Sequence, residues 1–238
     1  MKKILIAAIC VVWISSAAVA QDFPRVEIFG GYSLTKLGGQ ANDLYDEWEL
    51  IGEGSDADSF STSKWFEKGF NASATFNLHK HFGVEASFGY NSGQMAEFSF
   101  SDGDTMQATG KQNGNYFTFM VGPRFAYRHE AFTPFAHLLL GMGRIGMDYS
   151  AACTEDGSDC NSEFIDEVQI ETDGLLFIDD SHTGFAFTAG GGLDVNVNDS
   201  FAIRVIQVDY VQSRHGGFLD VYLGNLNLSF GAVVRLGN

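Results

Sequence analysis

What the sequence lacks narrows it first. Beyond Ala20 there is no run of about eighteen apolar residues, which excludes a transmembrane helix in that part of the chain. Basic residues are scarce: 14 Lys and Arg stand against 30 Asp and Glu, for a formal charge of −16. With nothing basic clustered to neutralise phosphates, a nucleic-acid partner is excluded. Proline is scarcer still, at 3, beside 22 Phe and 28 Gly, a composition that suits sheet better than a helix bundle. A hydrophobic fraction of 45% excludes a disordered chain. Cysteine is confined to Cys10, Cys153 and Cys160.

What is present begins with an export pattern. Lys2 and Lys3 precede the apolar stretch Ile4 to Ile14, and Ala18-Val19-Ala20 forms a small-residue cleavage site. We expect residues 1–20 to be a signal peptide and 21–238 to be one mature β domain. Cys10 follows bulky Ile9 inside the apolar run, which argues against lipid attachment there. Loss of Lys2 and Lys3 takes the formal charge from −16 to −18. In an oxidising compartment Cys153 and Cys160 are expected to form a disulfide. Closing so short a loop would contribute about 2.5 kcal/mol on the chain-entropy model. A metal site would need a nearby His or a second Cys pair.

The informative signal is period-two alternation. In Phe70-Asn71-Ala72-Ser73-Ala74-Thr75-Phe76-Asn77-Leu78 every even residue is apolar and every odd one polar. Phe82 to Asn91 repeats the scheme, as does Leu226 to Leu236. Because alternate side chains of a strand point to opposite faces, each segment has one apolar and one polar or small face. Arg25–Leu34, Asn115–Tyr127, Phe132–Arg144, Thr183–Val197 and Phe201–Val211 fit with less contrast. The strands are long against the usual five or six residues, and long enough to cross a bilayer when tilted, which takes about nine to eleven.

Connections alternate between short and long. His79-Lys80-His81, Arg128–Ala131 and Asn198-Asp199-Ser200 are short; 35–65, 93–114 and 145–182 are long, and only Ser213–Phe218 is brief on the long side. Transmembrane barrels sort their connections this way, with short periplasmic turns and long external loops. The acids follow suit. Asp43, Asp46, Glu47, Glu49, Glu53, Asp56 and Asp58 lie in the first long loop. Asp148, Glu155, Asp156, Asp159, Glu163, Asp166, Glu167, Glu171, Asp173, Asp179 and Asp180 lie in the third, and no Lys or Arg stands among either set. Ala96–Phe100 before Ser101-Asp102-Gly103-Asp104, and Val168–Ile170 before Thr172-Asp173-Gly174, look like hairpins rising above the membrane.

Alternation alone does not say which face is inside. A soluble barrel would enclose the apolar face and a membrane barrel would turn it to lipid. The apolar faces carry no charge along most strands, whereas the opposite faces hold Glu27, Glu85, Arg124 and Arg235 among Asn, Ser, Thr and Gly. Tyr32, Phe82, Tyr90, Tyr116, Phe117, Phe125 and Tyr127 cluster near strand ends, where interfacial girdles sit. We therefore expect an all-β, eight-stranded, antiparallel up-and-down transmembrane barrel. One strand resists: Arg204 has the opposite parity to Gln207 and Asp209, so either a bulge separates them or a charge sits at a rim, and we expect the bulge.

The runs Val121-Gly122-Pro123-Arg124-Phe125, Pro134 to Gly141, Gly190-Gly191-Gly192-Leu193-Asp194 and Arg204 to Tyr210 resemble the small outer-membrane β-barrel proteins. These include OmpA transmembrane-domain-like, OmpX-like and opacity-protein-like members. The resemblance covers the mature chain and implies the fold. For role it implies a spread, from membrane-stabilising to adhesive or host-interacting. Two departures stand out: the sequence ends Arg235-Leu236-Gly237-Asn238 where many members have a terminal aromatic, and no peptidoglycan-binding domain follows the last strand.

Some barrels of this size resemble lipid A acylases and deacylases, so catalysis needs weighing. Nucleophilic hydrolysis requires a Ser beside a His with a carboxylate to orient it. His137 with Ser87 or Ser229 and Glu85, and Ser181-His182 beside Asp179 and Asp180, are the candidates, but neither gives a His-x-Ser-Asn pattern on one strand face. We expect His137 to be a polar plug residue and the chain not to be an enzyme. Glu27, Glu85, Arg124, His137 and Arg235 are expected to form an interior polar network that closes a lumen just wide enough for side chains. Glu155, Asp156 and Asp159 are candidate divalent-cation ligands, although no EF-hand spacing occurs, and no other cofactor is expected.

The reading is a monomeric barrel exported across the inner membrane to the bacterial outer membrane. Its expected partners are outer-membrane lipid and lipopolysaccharide, the barrel-assembly machinery, and an external host or matrix ligand held by the acidic loops in a structural or adhesion-like role. A narrow channel and a lipid-modifying enzyme are the alternatives.

Overall fold

Strands with one apolar and one polar face bury the polar face only by closing on themselves, and this chain does so. The computed structural model describes residues 23–39, 59–101, 106–155, 158–159, 180–215 and 221–237. In chain order the strands are β1 (Val26–Lys36), β2 (Ser59–Thr62), β3 (Trp65–Phe66), β4 (Lys68–His79), β5 (Phe82–Ser101), β6 (Met106–Ala126), β7 (Phe132–Glu155), β8 (Ser158–Asp159), β9 (Asp180–Asn198), β10 (Phe201–His215) and β11 (Val221–Leu236). The order β11-β10-β9-β7-β6-β5-β4-β1 is antiparallel throughout, and β11 pairs back onto β1 from Val26↔Leu236 to Lys36↔Leu226. The result is a closed eight-stranded barrel with no free edge. The short β2 pairs with β5 and β3 with β1, prolonging the wall above β4, and β8 folds back on β7.

The faces are inverted relative to a water-soluble protein. Leu138 and Leu140 face outward, each 60% exposed, while Glu85, Asp194 and Arg204 face inward at 0%. Ile28, Phe76, Val84, Phe119, Phe185, Val195 and Phe230 are also exposed. A band of this kind is stable against lipid tails and not against water. Along the ladder Phe230, Tyr32, Phe70, Tyr90 and Phe117 stand in successive register, an aromatic row toward the long-loop end. Tyr116 does not belong to that girdle as expected: it is buried inside and donates to Ser213 Oγ at 3.0 Å, because its parity on β6 matches Arg124 and not Phe117.

Strands extend further than alternation indicated. The segment 93–114, expected as a long connection with a hairpin at Ala96–Phe100, is mostly paired: β5 and β6 stay in register from Gly93↔Gly114 to Ser101↔Gln107, with a shift between Gln94 and Ala96. β7 likewise continues to Glu155. In the β5 extension Ala96, Phe98 and Phe100 alternate with Glu97, Ser99 and Ser101, so the pattern and the backbone pairing run on together beyond the aromatic row. There Lys111 lies 2.9 Å from Glu97, and its hydrogen bond holds the Glu97 carboxyl below its ordinary value.

The interior is layered, where the sequence suggested a uniformly polar filling. Charges gather toward the short-turn end. Asn and Ser occupy the middle, as in the Asn71–Ser87 pair, where Ser87 Oγ lies 3.5 Å from Asn71 Oδ1. Toward the long-loop end Leu37, Phe66, Met95, Met120, Leu139, Ile145, Met147 and Leu223 pack into an apolar plug. Inward positions there are far enough along the barrel from the charges that side-chain packing closes the lumen on its own.

Candidate functional site

The charged layer is assembled from every strand of the barrel. Inward parity brings Glu27 from β1, Thr75 from β4, Glu85 from β5, Arg124 from β6, His137 from β7, Asp194 from β9, Arg204 and Asp209 from β10, and Arg235 from β11, all buried. Arg124 is central: its Nη1 lies 3.5 Å from Glu27 Oε2 and 3.7 Å from Glu85 Oε2 and donates to Thr75 Oγ1 at 3.0 Å, and its Nη2 donates to Asp194 Oδ2 at 3.2 Å.

Arg204 grips the same carboxylate in bidentate fashion, Nε to Asp194 Oδ1 at 2.7 Å and Nη2 to Oδ2 at 3.2 Å. Its Nη1 donates to Gln207 Oε1 at 2.6 Å, and Gln207 Nε2 passes the contact on to Asp209 Oδ2 at 2.6 Å. Asp209 Oδ1 lies 2.8 Å from His137 Nε2, and His137 Nδ1 lies 3.3 Å from Glu85 Oε2. The circuit then returns through Glu85 to Arg124 and closes. Both His137 nitrogens face carboxylate oxygens, and only the imidazolium donates from both.

Two local devices make this geometry. The first is the bulge expected in β10: between Arg204↔Gly231 and Gln207↔Ser229 the strand carries one residue more than its partner. Val205 and Ile206 therefore both face lipid, and Arg204 and Gln207 both face the interior. The second is glycine at a close approach. A Cβ on Gly190 would fall 2.0 Å from Asp209 Oδ1, and one on Gly192 would fall 2.8 Å from Phe135 Cζ. The space so left admits the Phe135 ring, with the Arg124 and Arg204 guanidinium carbons 4.0 and 4.2 Å from its centroid.

A second tier lies nearer the short turns. Arg235 Nε is 3.3 Å from Glu27 Oε1, and its Nη1 donates to Asn196 Oδ1 at 2.8 Å. Arg128, just past β6, reaches Glu27 Oε1 at 3.3 Å and donates from Nη1 to the Lys80 carbonyl, tying two turns together. The carboxylates Glu27, Glu85, Asp194 and Asp209 thus face the guanidiniums Arg124, Arg128, Arg204 and Arg235 and the His137 ring. Charges enclosed in a membrane barrel require such pairing.

The structure brings together all five interior residues singled out from the sequence, Glu27, Glu85, Arg124, His137 and Arg235. Sequence reasoning missed Asp194, Gln207 and Arg128 as partners and left Arg204 and Asp209 as a parity puzzle. Asp194 had a readable signal, the one charge between Thr183 and Val197; Arg128 had none, because it sits in a turn. Neither nitrogen of His137 faces Ser87 or Ser229, and Ser87 Oγ instead reaches Asn71 Oδ1 at 3.5 Å. Cys160 and Asp156 lie outside the described residues, as do the side chains of Cys153, Glu155 and Asp159 and the acids of 40–58 and 160–179.

Several solved structures align with most of the chain. Ail, the attachment invasion locus protein of Yersinia pestis, aligns with a TM-score of 0.43 at 17% identity, over 89% of this chain and 99% of that one. The outer membrane protein OprG from Pseudomonas aeruginosa aligns with a TM-score of 0.40 at 12% identity, over 90% and 96%. Neisserial surface protein A gives 0.38 at 12% identity, over 89% and 97%. No curated protein matches the sequence. The outer membrane protein beta-barrel domain family matches residues 5–233, and with polar residues enclosed and apolar ones turned to lipid, the chain belongs to that family of the bacterial outer membrane.

Proposed function

We propose that this barrel is a non-enzymatic, cofactor-free scaffold that presents its acidic loops at the cell surface in an adhesion-like role, after export by residues 1–20 and with Cys153 and Cys160 oxidised. The observation that carries this reading is the filled interior. A closed ion-pair circuit at one end and an apolar plug at the other leave no continuous lumen among the described residues for a wide pore. Function then falls to the long-loop end, where a rigid scaffold holds variable segments. Carboxylates concentrated in 43–58 and 148–180 suit a basic or matrix partner.

The test uses bacteria displaying the full chain over immobilised basement-membrane matrix. Deleting 41–57 or 161–178 should reduce attachment to background while the barrel keeps its heat-shifted gel mobility. Undiminished attachment overturns the loop reading. Steady ion conductance of the parent protein in a planar bilayer overturns the closed-interior argument.

A further inference from the structure

A notch in the outer wall lies apart from the interior network. Between the pairs Lys68↔Ser92 and Thr62↔Ala96, residues 63–67 face residues 93–95, and the ladder between them opens. Across it Ser63 N donates to Met95 O at 2.9 Å. Phe66 turns fully into the barrel, where a Cβ on Gly114 would fall 2.5 Å from its Cζ. Its neighbour Trp65 stays outside. The wall is left with an outward-facing cavity of about 520 Å³, bordered by Trp65, Tyr90, Gln94, Asn113, Asn115 and Asp148. That size lies within the range of small-ligand sites, about 300–1,000 Å³.

The lining chemistry is specific. Two aromatic rings, Trp65 and Tyr90, each 37% exposed, offer apolar faces. Above them Asn115 Nδ2 donates to Asp148 Oδ2 at 3.3 Å, and the Asn113 side-chain amide makes no hydrogen bond among the described residues. Aromatic faces pack against the C–H side of a sugar ring, and amides and a carboxylate bond its hydroxyls. Of the charged residues at the notch, Glu67 and Asp148 are balanced by Lys68 and by Lys36, whose Nζ stands 5.7 Å from the Trp65 ring centroid, so no net positive charge favours a phosphate. Position names the source. Tyr90 belongs to the aromatic row that marks the lipid boundary, and Gln94, Asn113 and Asp148 stand just beyond it, level with head groups.

We infer that this notch binds a neutral sugar of an outer-leaflet glycolipid. The assignment rests on the seat of the barrel in the outer membrane and not on any role of its loops, so the matrix-attachment test and the following one fail independently.

Trp48→Phe leaves Trp65 as the reporter indole of residues 21–238. This variant is folded into nanodiscs containing phospholipid alone, lipid A, or lipopolysaccharide with its core sugars, at graded mole fractions. Trp65 emission should shift with the core-bearing glycolipid and stay unchanged in the other two. Adding Asn113→Ala or Asp148→Ala, both outward-facing, should raise the mole fraction for half-maximal shift about 5-fold, the effect of one lost hydrogen bond. Heat-shifted mobility confirms that each variant is folded. No shift, an equal shift with lipid A, or unaltered titration in both variants overturns the sugar assignment. Equal occupancy by deacylated core saccharide at the same bulk concentration in phospholipid discs overturns the glycolipid source.

Discussion

Replacing Asp194 with Ala leaves Arg124 and Arg204 facing each other without the carboxylate they share. At 2.7–3.2 Å and an effective dielectric constant of about 20, each contact is an attraction on the order of 5 kcal/mol before desolvation is counted. Most of that gain is offset by the cost of burying the charges, so the measurable effect is the penalty of an orphaned cation, about 3–5 kcal/mol. Asp194→Asn keeps one acceptor oxygen for Arg204 but turns an amide toward Arg124, and should cost roughly half as much. Arg204→Met in the Asp194→Ala background removes one orphan, so the double variant should be more stable than the sum of the single losses by about 2–3 kcal/mol. Reversible urea unfolding of the barrel in lipid vesicles, followed by the heat-shifted band, reads these differences from midpoints at constant slope. An Asp194→Ala midpoint within about 1 kcal/mol of the parent, or a strictly additive cycle, would refute the shared-carboxylate reasoning.

Three further outcomes follow from the same geometry. Gly190→Ala places a methyl against the Asp209 carboxylate and the Val208 carbonyl, and should destabilise by about 1–3 kcal/mol in the same titration, whereas Gly30→Ala, with open space around it, should be near neutral. Ala86→Arg puts a charge on the lipid face between Phe82 and Tyr90 and should cost about 2–4 kcal/mol; a variant as stable as the parent would place that face away from lipid. Phe66→Ala with Met120→Ala empties part of the apolar plug but leaves the ion-pair circuit intact, and should stay silent in planar bilayers; steady ion conductance would mean that the circuit does not close the lumen.

Much of the fold was legible because a barrel strand exposed to lipid on one side writes its orientation into every second residue. Phe70 to Leu78 states it without exception, and all eight strands were found where alternation placed them. The β5–β6 hairpin beyond the lipid was legible too, since Ala96, Phe98 and Phe100 alternate with Glu97, Ser99 and Ser101; the continuation of β7 to Glu155 was not. The interior site was legible as a set of inward charges but not as a circuit. Asp194 pairs with Arg204 across a neighbouring strand and with Arg124 two strands away, and that distance depends on how the registers add up around the barrel. Tyr116 was misplaced for a related reason: it is flanked by Phe117, and composition near a strand end does not separate a girdle residue from its inward neighbour.

The sequence by itself determined an inverted barrel, because the period-two pattern and the scarcity of charge on one face leave a single way to satisfy both lipid and backbone. It also pointed to a bulge in β10, since Arg204 and Asp209 cannot both face inward on an unbroken strand, and the register shift decided for the bulge over a charge at the rim. The tertiary structure alone decided which cation meets which anion, where the apolar plug begins, and where the wall opens beside Trp65. These depend on stagger and closure, which bring residues from distant strands to one height in the barrel, and no local pattern in a chain records that sum.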